Sequence, residues 1–117
     1  MSLRGKIHFA ELTDTGRVRE HNEDAIGTDP EVGLMVLADG MGGYNAGEVA
    51  SGIAVETVAK LATEAHARED MSVIDPHSGM MRHSIILKDA IYRANKIIFQ
   101  TAQSQTNCEG MGTTIVA

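Results

Sequence analysis

A short apolar run between turn-forming residues constrains this chain more than any other feature. Residues 34–38 (LMVLA) follow Gly33 and precede Asp39-Gly40. The run is too short for a helix, and an uninterrupted apolar segment is typical of a strand buried on both faces. We therefore predict a central strand over 33–38. The glycine-rich stretch 39–43 is predicted to end this strand and to have no regular structure itself.

Two longer segments have helical periodicity instead. In residues 45–68 the small and apolar side chains fall on one stripe, and Asn45 is the predicted N-cap. The stripe consists of Ala46, Ala50, Ile53, Ala54, Val58, Leu61 and Ala65. Its alanines predict close packing against a sheet. A second helix is predicted from about Met81 to Ser104, with Leu87, Ile91, Ala94, Ile98 and Ala102 on its buried stripe.

Three further segments are predicted to be strands, namely 7–14, 24–28 and 111–117, and loops are predicted over 70–80 and 106–110. The last strand is apolar and β-prone, so its edge and both faces require partners. Four strands are too few to bury both helix stripes well. We therefore expect these residues to belong to a larger domain.

Composition excludes several classes of protein. The net charge is −6 and no Lys/Arg cluster occurs along the sequence, which argues against a nucleic-acid-binding protein. One cysteine, Cys108, permits neither an intramolecular disulfide nor a multi-cysteine zinc site. No secretory signal pattern and no apolar stretch of about 18 residues occurs, so we expect a cytoplasmic protein that does not bind membranes.

The first candidate site lies in residues 19–24 (REHNED). Arg19 and Glu23 are four residues apart and share a face of either a strand or a helix. One interpretation is a surface ion pair contributing less than about 1 kcal/mol. The other is a guanidinium that binds an oxyanion beside a carboxylate that binds a cation. From this cluster alone, the surface ion pair is the favoured interpretation.

The second candidate site begins at Asp39, a carboxylate at the end of the predicted strand, followed by glycines at 40, 42 and 43. Glycine lets carbonyl groups turn toward a cation and lets a substrate approach closely. Asp-Gly is also an ordinary hairpin turn, although here a helix follows instead of a second strand. Carboxylates and carbonyls favour Mg²⁺ or Mn²⁺, and the five histidines have no metal-binding spacing.

Three stretches, in this order, resemble the metal-dependent protein phosphatases of the type-2C or PPM family in their bacterial form. They are 13–24 (TDTGRVREHNED), 38–43 with 47–51 (ADGMGG and GEVAS), and 110–114 (GMGTT). The resemblance implies an α+β fold, an antiparallel β-sandwich flanked by helices in four αββα layers. Residues 1–117 would form the N-terminal half of this single catalytic domain.

The resemblance also implies roles for individual residues. Arg19 would bind the substrate phosphate, and Arg19 and Asp39 would be the catalytic residues. Glu23, Asp39 and the Gly40 carbonyl would bind metal, with two Mn²⁺ or Mg²⁺ ions in the complete domain. Asp24 and a threonine of the third motif, Thr114 or Thr113, would support the site.

The implied reaction is hydrolysis of phosphoserine and phosphothreonine in proteins by a metal-activated water. The implied partners are phosphorylated proteins and a counteracting kinase. Met41 stands where eukaryotic members often have a histidine, so the leaving group would take its proton from water. Further ligand aspartates are expected beyond Ala117, which would leave this chain alone inactive. The alternative is a pseudophosphatase or regulatory module that binds phosphopeptides through Arg19 without turnover.

Overall fold

The computed structural model describes residues 2–68 and 73–117. These residues form a mixed α+β arrangement of a small sheet and two long helices. In chain order the elements are β1 (Asp24–Asp29), β2 (Leu34–Met41), α1 (Ala46–Arg68), α2 (Arg82–Ser104), a 3-10 turn (Thr106–Cys108) and β3 (Gly112–Thr113). No helix in this part of the chain is long and apolar enough to cross a membrane.

The sheet is antiparallel, with β2 in the centre. Asp24 lies opposite Asp39 at one end of the β1–β2 ladder, and Asp29 lies opposite Leu34 at the other. On its second edge β2 pairs Gly40 with Thr113. The ladder continues past β3, because Leu37 and Val116 exchange backbone hydrogen bonds of 2.8 Å in both directions.

The strand β2 is buried on one face only, so the prediction of two buried faces was wrong for this part of the chain. Along the strand, buried residues alternate with exposed ones. Helix α1 covers the side of Val36 and Ala38, whereas Leu37 on the outer face is 47% exposed. Met35 and Met41 are exposed beside it. Within the described residues there is one sheet, with helices on one of its faces.

The strand also runs further than predicted. The predicted break at Asp39 was wrong, because β2 continues to Met41. Its last residues stay regular because the Gly40 N–H donates to the Glu23 carbonyl at 3.0 Å and Asp39 is paired on both sides. The irregular backbone begins after Met41 and includes positive φ angles at Tyr44 (56°) and Asn45 (72°).

Helix α1 forms where predicted and packs closely on the sheet. Ala50, Ala54 and Val58 are completely buried. A Cβ added at Gly27 of β1 would lie 2.7 Å from Cγ1 of Val55, which shows how near the helix approaches. The Asn45 carbonyl accepts from the N–H groups of Glu48 and Val49, so the helix begins where predicted, although Asn45 lacks the extended backbone usual for an N-cap.

Helix α2 packs against α1, and its predicted stripe is confirmed. Ala90, Ala94 and Ile98 are buried, and Leu87, Ile91 and Ala102 are half-buried. Met81 occupies the N-cap position with an extended backbone. Residues 73–80 form a loop, as predicted. The remainder of the predicted 70–80 loop lies outside the described residues.

Two predicted strands are absent or shortened. The predicted strand 7–14 is absent: Ile7 forms an isolated bridge with Arg4, and residues 8–14 pair with no strand of the described residues, so their backbone lacks the neighbour that a strand needs. The preceding residues attach instead to the β1–β2 loop, where the Leu3 N–H donates to the Glu31 carbonyl at 3.0 Å. The predicted strand 111–117 is reduced to β3 and the bridge at Val116.

Candidate metal and phosphate site

The predicted site residues meet at one end of the sheet. Glu23 directly precedes β1, whose first residue, Asp24, lies opposite Asp39. The hydrogen bond from the Gly40 N–H to the Glu23 carbonyl joins the same two strands. Antiparallel pairing therefore places the backbones of Glu23, Asp39 and Gly40 side by side, although 16 positions separate Glu23 from Asp39 in the sequence.

The Glu23 side chain reaches toward the start of helix α1. A Cβ added at Gly47, in the first turn of α1, would overlap Oε2 of Glu23. That oxygen is buried and has no hydrogen-bond partner. A buried carboxylate oxygen without a partner is unfavourable, because it has lost water and gained nothing in exchange. A bound cation is a partner that would satisfy it, so this donor fits a metal site.

The two glycines at the site are required by close packing. A Cβ added at Gly40 would overlap the Gly47 carbonyl oxygen and lie 2.9 Å from the Glu23 carbonyl oxygen. The end of β2 and the first turn of α1 therefore touch backbone to backbone. We did not predict a role for Gly47. Its position inside a helix was the available sequence signal, because glycine is unfavourable there unless packing requires it.

Asp39 lies on the outer face of the sheet, held on one side by Thr114. The Thr114 N–H donates to the Asp39 carbonyl at 2.9 Å, and the Asp39 N–H donates to Oγ1 of Thr114 at 3.2 Å. Thr113 instead pairs with Gly40 and donates its hydroxyl to the Thr114 carbonyl at 2.8 Å. Of the two threonines left open by the sequence, Thr114 is therefore the one that contacts Asp39.

Charge is concentrated around Asp24. Loss of water contacts, together with the charge of Asp39 and a side-chain hydrogen bond with it, raises the pKa of Asp24. The nearby Arg19 lowers the same pKa, and Glu23 raises it. The exposed Arg19 is thus close enough to act electrostatically on this carboxylate cluster. The cluster is rich in negative charge, as a cation site requires.

Two side chains for which the sequence predicted no role, Asn22 and His21, hold the segment before β1. The Asn22 Oδ1 accepts from the Asp24 N–H at 3.0 Å, and its Nδ2 donates to Oγ1 of Thr13 at 2.7 Å. Nδ1 of His21 lies 3.9 Å from Oε1 of Glu48 in the first turn of α1. Asn and Asp commonly hydrogen-bond the backbone two residues on, which is the signal that would have identified Asn22.

The described residues supply only part of a metal site. In residues 2–68 and 73–117, no three or more His, Cys, Asp or Glu side chains form a group able to hold a metal ion. The predicted donors are two carboxylates, Glu23 and Asp39, and the Gly40 carbonyl. Their chemistry suits a hard cation. A cation with about six oxygen ligands would need others from water or from residues elsewhere.

This chain is similar in sequence to proteins named serine/threonine phosphatases. The chain is 36% identical over 114 residues to the serine/threonine phosphatase stp of Listeria monocytogenes, covering 95% of this chain and 42% of that protein. It is 32% identical over 111 residues to the serine/threonine protein phosphatase PstP of Mycobacterium tuberculosis, covering 95% of this chain and 19% of PstP. The chain thus spans less than half the length of these relatives.

A solved structure gives the same result. The catalytic domain of PstP, in complex with two manganese ions, superposes with a TM-score of 0.66 at 33% identity, covering 87% of this chain and 38% of that domain. In addition, residues 15–117 match the sequence profile of the family described as Protein phosphatase 2C. This chain therefore belongs to the protein phosphatase 2C family.

Proposed function

We propose that this chain contributes the phosphate-binding residue and part of the metal ligands to a phosphatase that hydrolyses phosphoserine and phosphothreonine in proteins. The observation that carries the proposal is the strand pairing that brings the backbones of Glu23, Asp39 and Gly40 together at one end of the sheet, with Oε2 of Glu23 buried and unpaired. The family and the names of its relatives support the same reaction.

The Glu23 and Asp39 carboxylates and the Gly40 carbonyl would hold Mn²⁺ or Mg²⁺, in a pair of ions as the manganese-bound PstP domain contains. Such ions supply a water molecule acidic enough to attack at neutral pH and neutralise charge on the phosphoryl oxygens. Because three donors do not complete two coordination spheres, the remaining ligands come from the rest of the domain. The isolated chain is accordingly inactive.

Arg19 binds the substrate phosphate in this proposal. Its side chain is exposed and near the carboxylate cluster, where a planar guanidinium can donate two hydrogen bonds to phosphate oxygens. Met41 lies on the outer sheet face with Asp39 and is 65% exposed. A thioether carries no proton, so water protonates the leaving hydroxyl. The partners are phosphorylated proteins in the cytoplasm and a kinase that phosphorylates them.

The decisive experiment uses the complete protein, a phosphothreonine peptide and Mn²⁺. Arg19→Ala should lower kcat/KM by roughly 10- to 100-fold, the effect of removing a charge-assisted phosphate contact. Arg17→Ala, which removes the same charge two residues away, should change it less than about twofold. The complete wild-type protein should be inactive in EDTA and recover when Mn²⁺ is restored.

The alternative, a phosphopeptide-binding module, gives a different result in the same samples. It would bind the peptide in a titration, with an affinity that depends on Arg19, and release no phosphate at any Mn²⁺ concentration. Absence of both hydrolysis and binding would refute the proposal and the alternative together.

A further inference from the structure

The solvent-facing side of helix α2 carries two lysines and two aromatic rings. Lys88, Tyr92, Lys96 and Phe99 follow one another at intervals of four, four and three residues, so they share one face. We call these four residues the basic-aromatic stripe. It lies opposite the stripe of α2 that packs on α1. Tyr92 is 64% exposed and Phe99 61%, which is unusual for large rings on a helix that already has a buried side.

The charge of α2 is opposite to that of the whole chain. The helix holds four of the ten Lys/Arg residues and one of the sixteen Asp/Glu residues, in a chain of net charge −6. These basic residues are dispersed in the sequence, which is why no cluster is visible there, and the helix brings Lys88 and Lys96 onto one face. The result is a local positive surface on an acidic molecule.

Two residues of the stripe contact each other. Nζ of Lys88 lies 6.0 Å from the centre of the Tyr92 ring, at the outer limit of a cation–π contact. Such a contact leaves the ammonium group exposed and able to bind an anion. It also reduces the freedom that Tyr92 would lose when a partner packs on it.

A cavity opens at the C-terminal end of the stripe. It has a volume of about 600 Å³, and its apolar lining includes Phe99, Ala102 and Met111. Five residues contribute polar groups to its wall, one of them a carboxylate: Gln103, Ser104, Gln105, Thr106 and Glu109. Phe99 thus belongs to both the stripe and the cavity, which makes the two one continuous surface. The apolar part of the cavity, at Phe99, Ala102 and Met111, offers one apolar side chain of a partner a surface to pack against.

We propose that this surface binds an acidic peptide segment of a protein partner. One apolar side chain of the segment enters the cavity beside Phe99, and its carboxylates or phosphates contact Lys88 and Lys96. An anionic membrane fits less well, because a flat negative surface would face the net charge of −6 of the whole chain, whereas a short peptide contacts only the stripe. This binding is independent of the proposed phosphatase activity.

The test uses the complete protein and a fluorescein-labelled peptide in which one leucine is flanked by runs of aspartate and glutamate. The double variant Lys88→Glu, Lys96→Glu should weaken binding roughly tenfold or more, because attraction becomes repulsion. The matched control is Lys6→Glu, Lys60→Glu, which changes the net charge equally at the chain's two other lysines, both exposed. It should weaken binding less than about threefold.

Two further measurements distinguish the apolar contact in the cavity from the charge contacts, and a peptide partner from a membrane. Phe99→Ala should weaken binding of the leucine peptide but not of the same peptide with serine in place of leucine. Equal weakening by both double variants, or none, would overturn the proposal. So would binding of phosphatidylserine vesicles that depends on Lys88 and Lys96 when the peptide does not bind. Circular dichroism shows whether each variant folds. Where a variant does not fold, Tyr92→Ala is tested in its place.

Discussion

The carboxylate of Glu23 occupies the space that a side chain at Gly47 would fill, and its Oε2 atom is buried there without a hydrogen-bond partner. Gly47→Ala should therefore displace this carboxylate. We expect it to cost about 1–3 kcal/mol of stability, as overpacking does. It should also reduce the rise in melting temperature that Mn²⁺ gives to the complete protein, which calorimetry with and without the ion would measure.

Gly52→Ala is the matched control in the same helix. A Cβ there meets no heavy atom within 4 Å. It should stabilise the protein by about 0.5–1 kcal/mol, since alanine is the better helix former, and leave the Mn²⁺ effect intact. If Gly47→Ala and Gly52→Ala both keep the full rise in melting temperature with Mn²⁺, Gly47 does not position Glu23 as a metal ligand.

Asp39 depends on Thr114 for a hydrogen bond that valine cannot make. Thr114→Val keeps the shape of the side chain and removes the acceptor for the Asp39 N–H. We expect a loss of about 1 kcal/mol of stability and weaker Mn²⁺ binding in a calorimetric titration. Thr113→Val removes a hydroxyl that bonds to Thr114 and not to Asp39, so it should leave Mn²⁺ affinity unchanged. Equal affinity for Mn²⁺ in both variants would show that Thr114 does not position Asp39.

Asp24→Asn should make the metal-free protein more stable near neutral pH. Loss of some water contacts and the neighbouring Asp39 raise the pKa of Asp24 in the folded state. The folded state therefore holds this proton more tightly than the unfolded state, and stability falls as pH rises between the two pKa values. Because Asp24 is exposed, the gain should be below about 1 kcal/mol.

The pH dependence distinguishes this cause from a change in packing. Urea unfolding should give equal stability for wild type and Asp24→Asn at a pH below both pKa values, with a difference that grows as pH rises. A difference independent of pH would contradict the electrostatic explanation.

The outer face of β2 carries three exposed apolar side chains among the described residues, Met35, Leu37 and Met41. If a second sheet packs on it in the complete domain, Leu37→Asp there should cost about 2–4 kcal/mol, because a charge is buried without a partner. Val73→Asp is the control at a similarly exposed residue (53%) away from the sheet, expected within about 0.5 kcal/mol. If Leu37→Asp leaves the free energy of unfolding in urea unchanged, this face stays open to solvent.

The sequence by itself determined where α1, α2, β1 and the start of β2 lie, because each rests on short-range periodicity or on turn residues beside it. It also selected Asp39, since an acidic residue followed by glycines at a strand end is recognisable locally, and it selected Glu23 by its spacing from Arg19 and by the resemblance to the phosphatase family. Their roles as ligands stay predictions.

Only the tertiary structure decided the rest, because it depends on contacts between residues distant in the chain. Residues 7–14 alternate as a strand does but form no strand, and within the described part of the chain the helices cover only one face of β2. The contact between Glu23 and Gly47 depends on how β2 packs against α1. The contact of Asp39 with Thr114, and not with Thr113, depends on how β2 pairs with the chain after Gly112. Tertiary packing brings these residues into contact, so no pattern in the local sequence predicts the contacts.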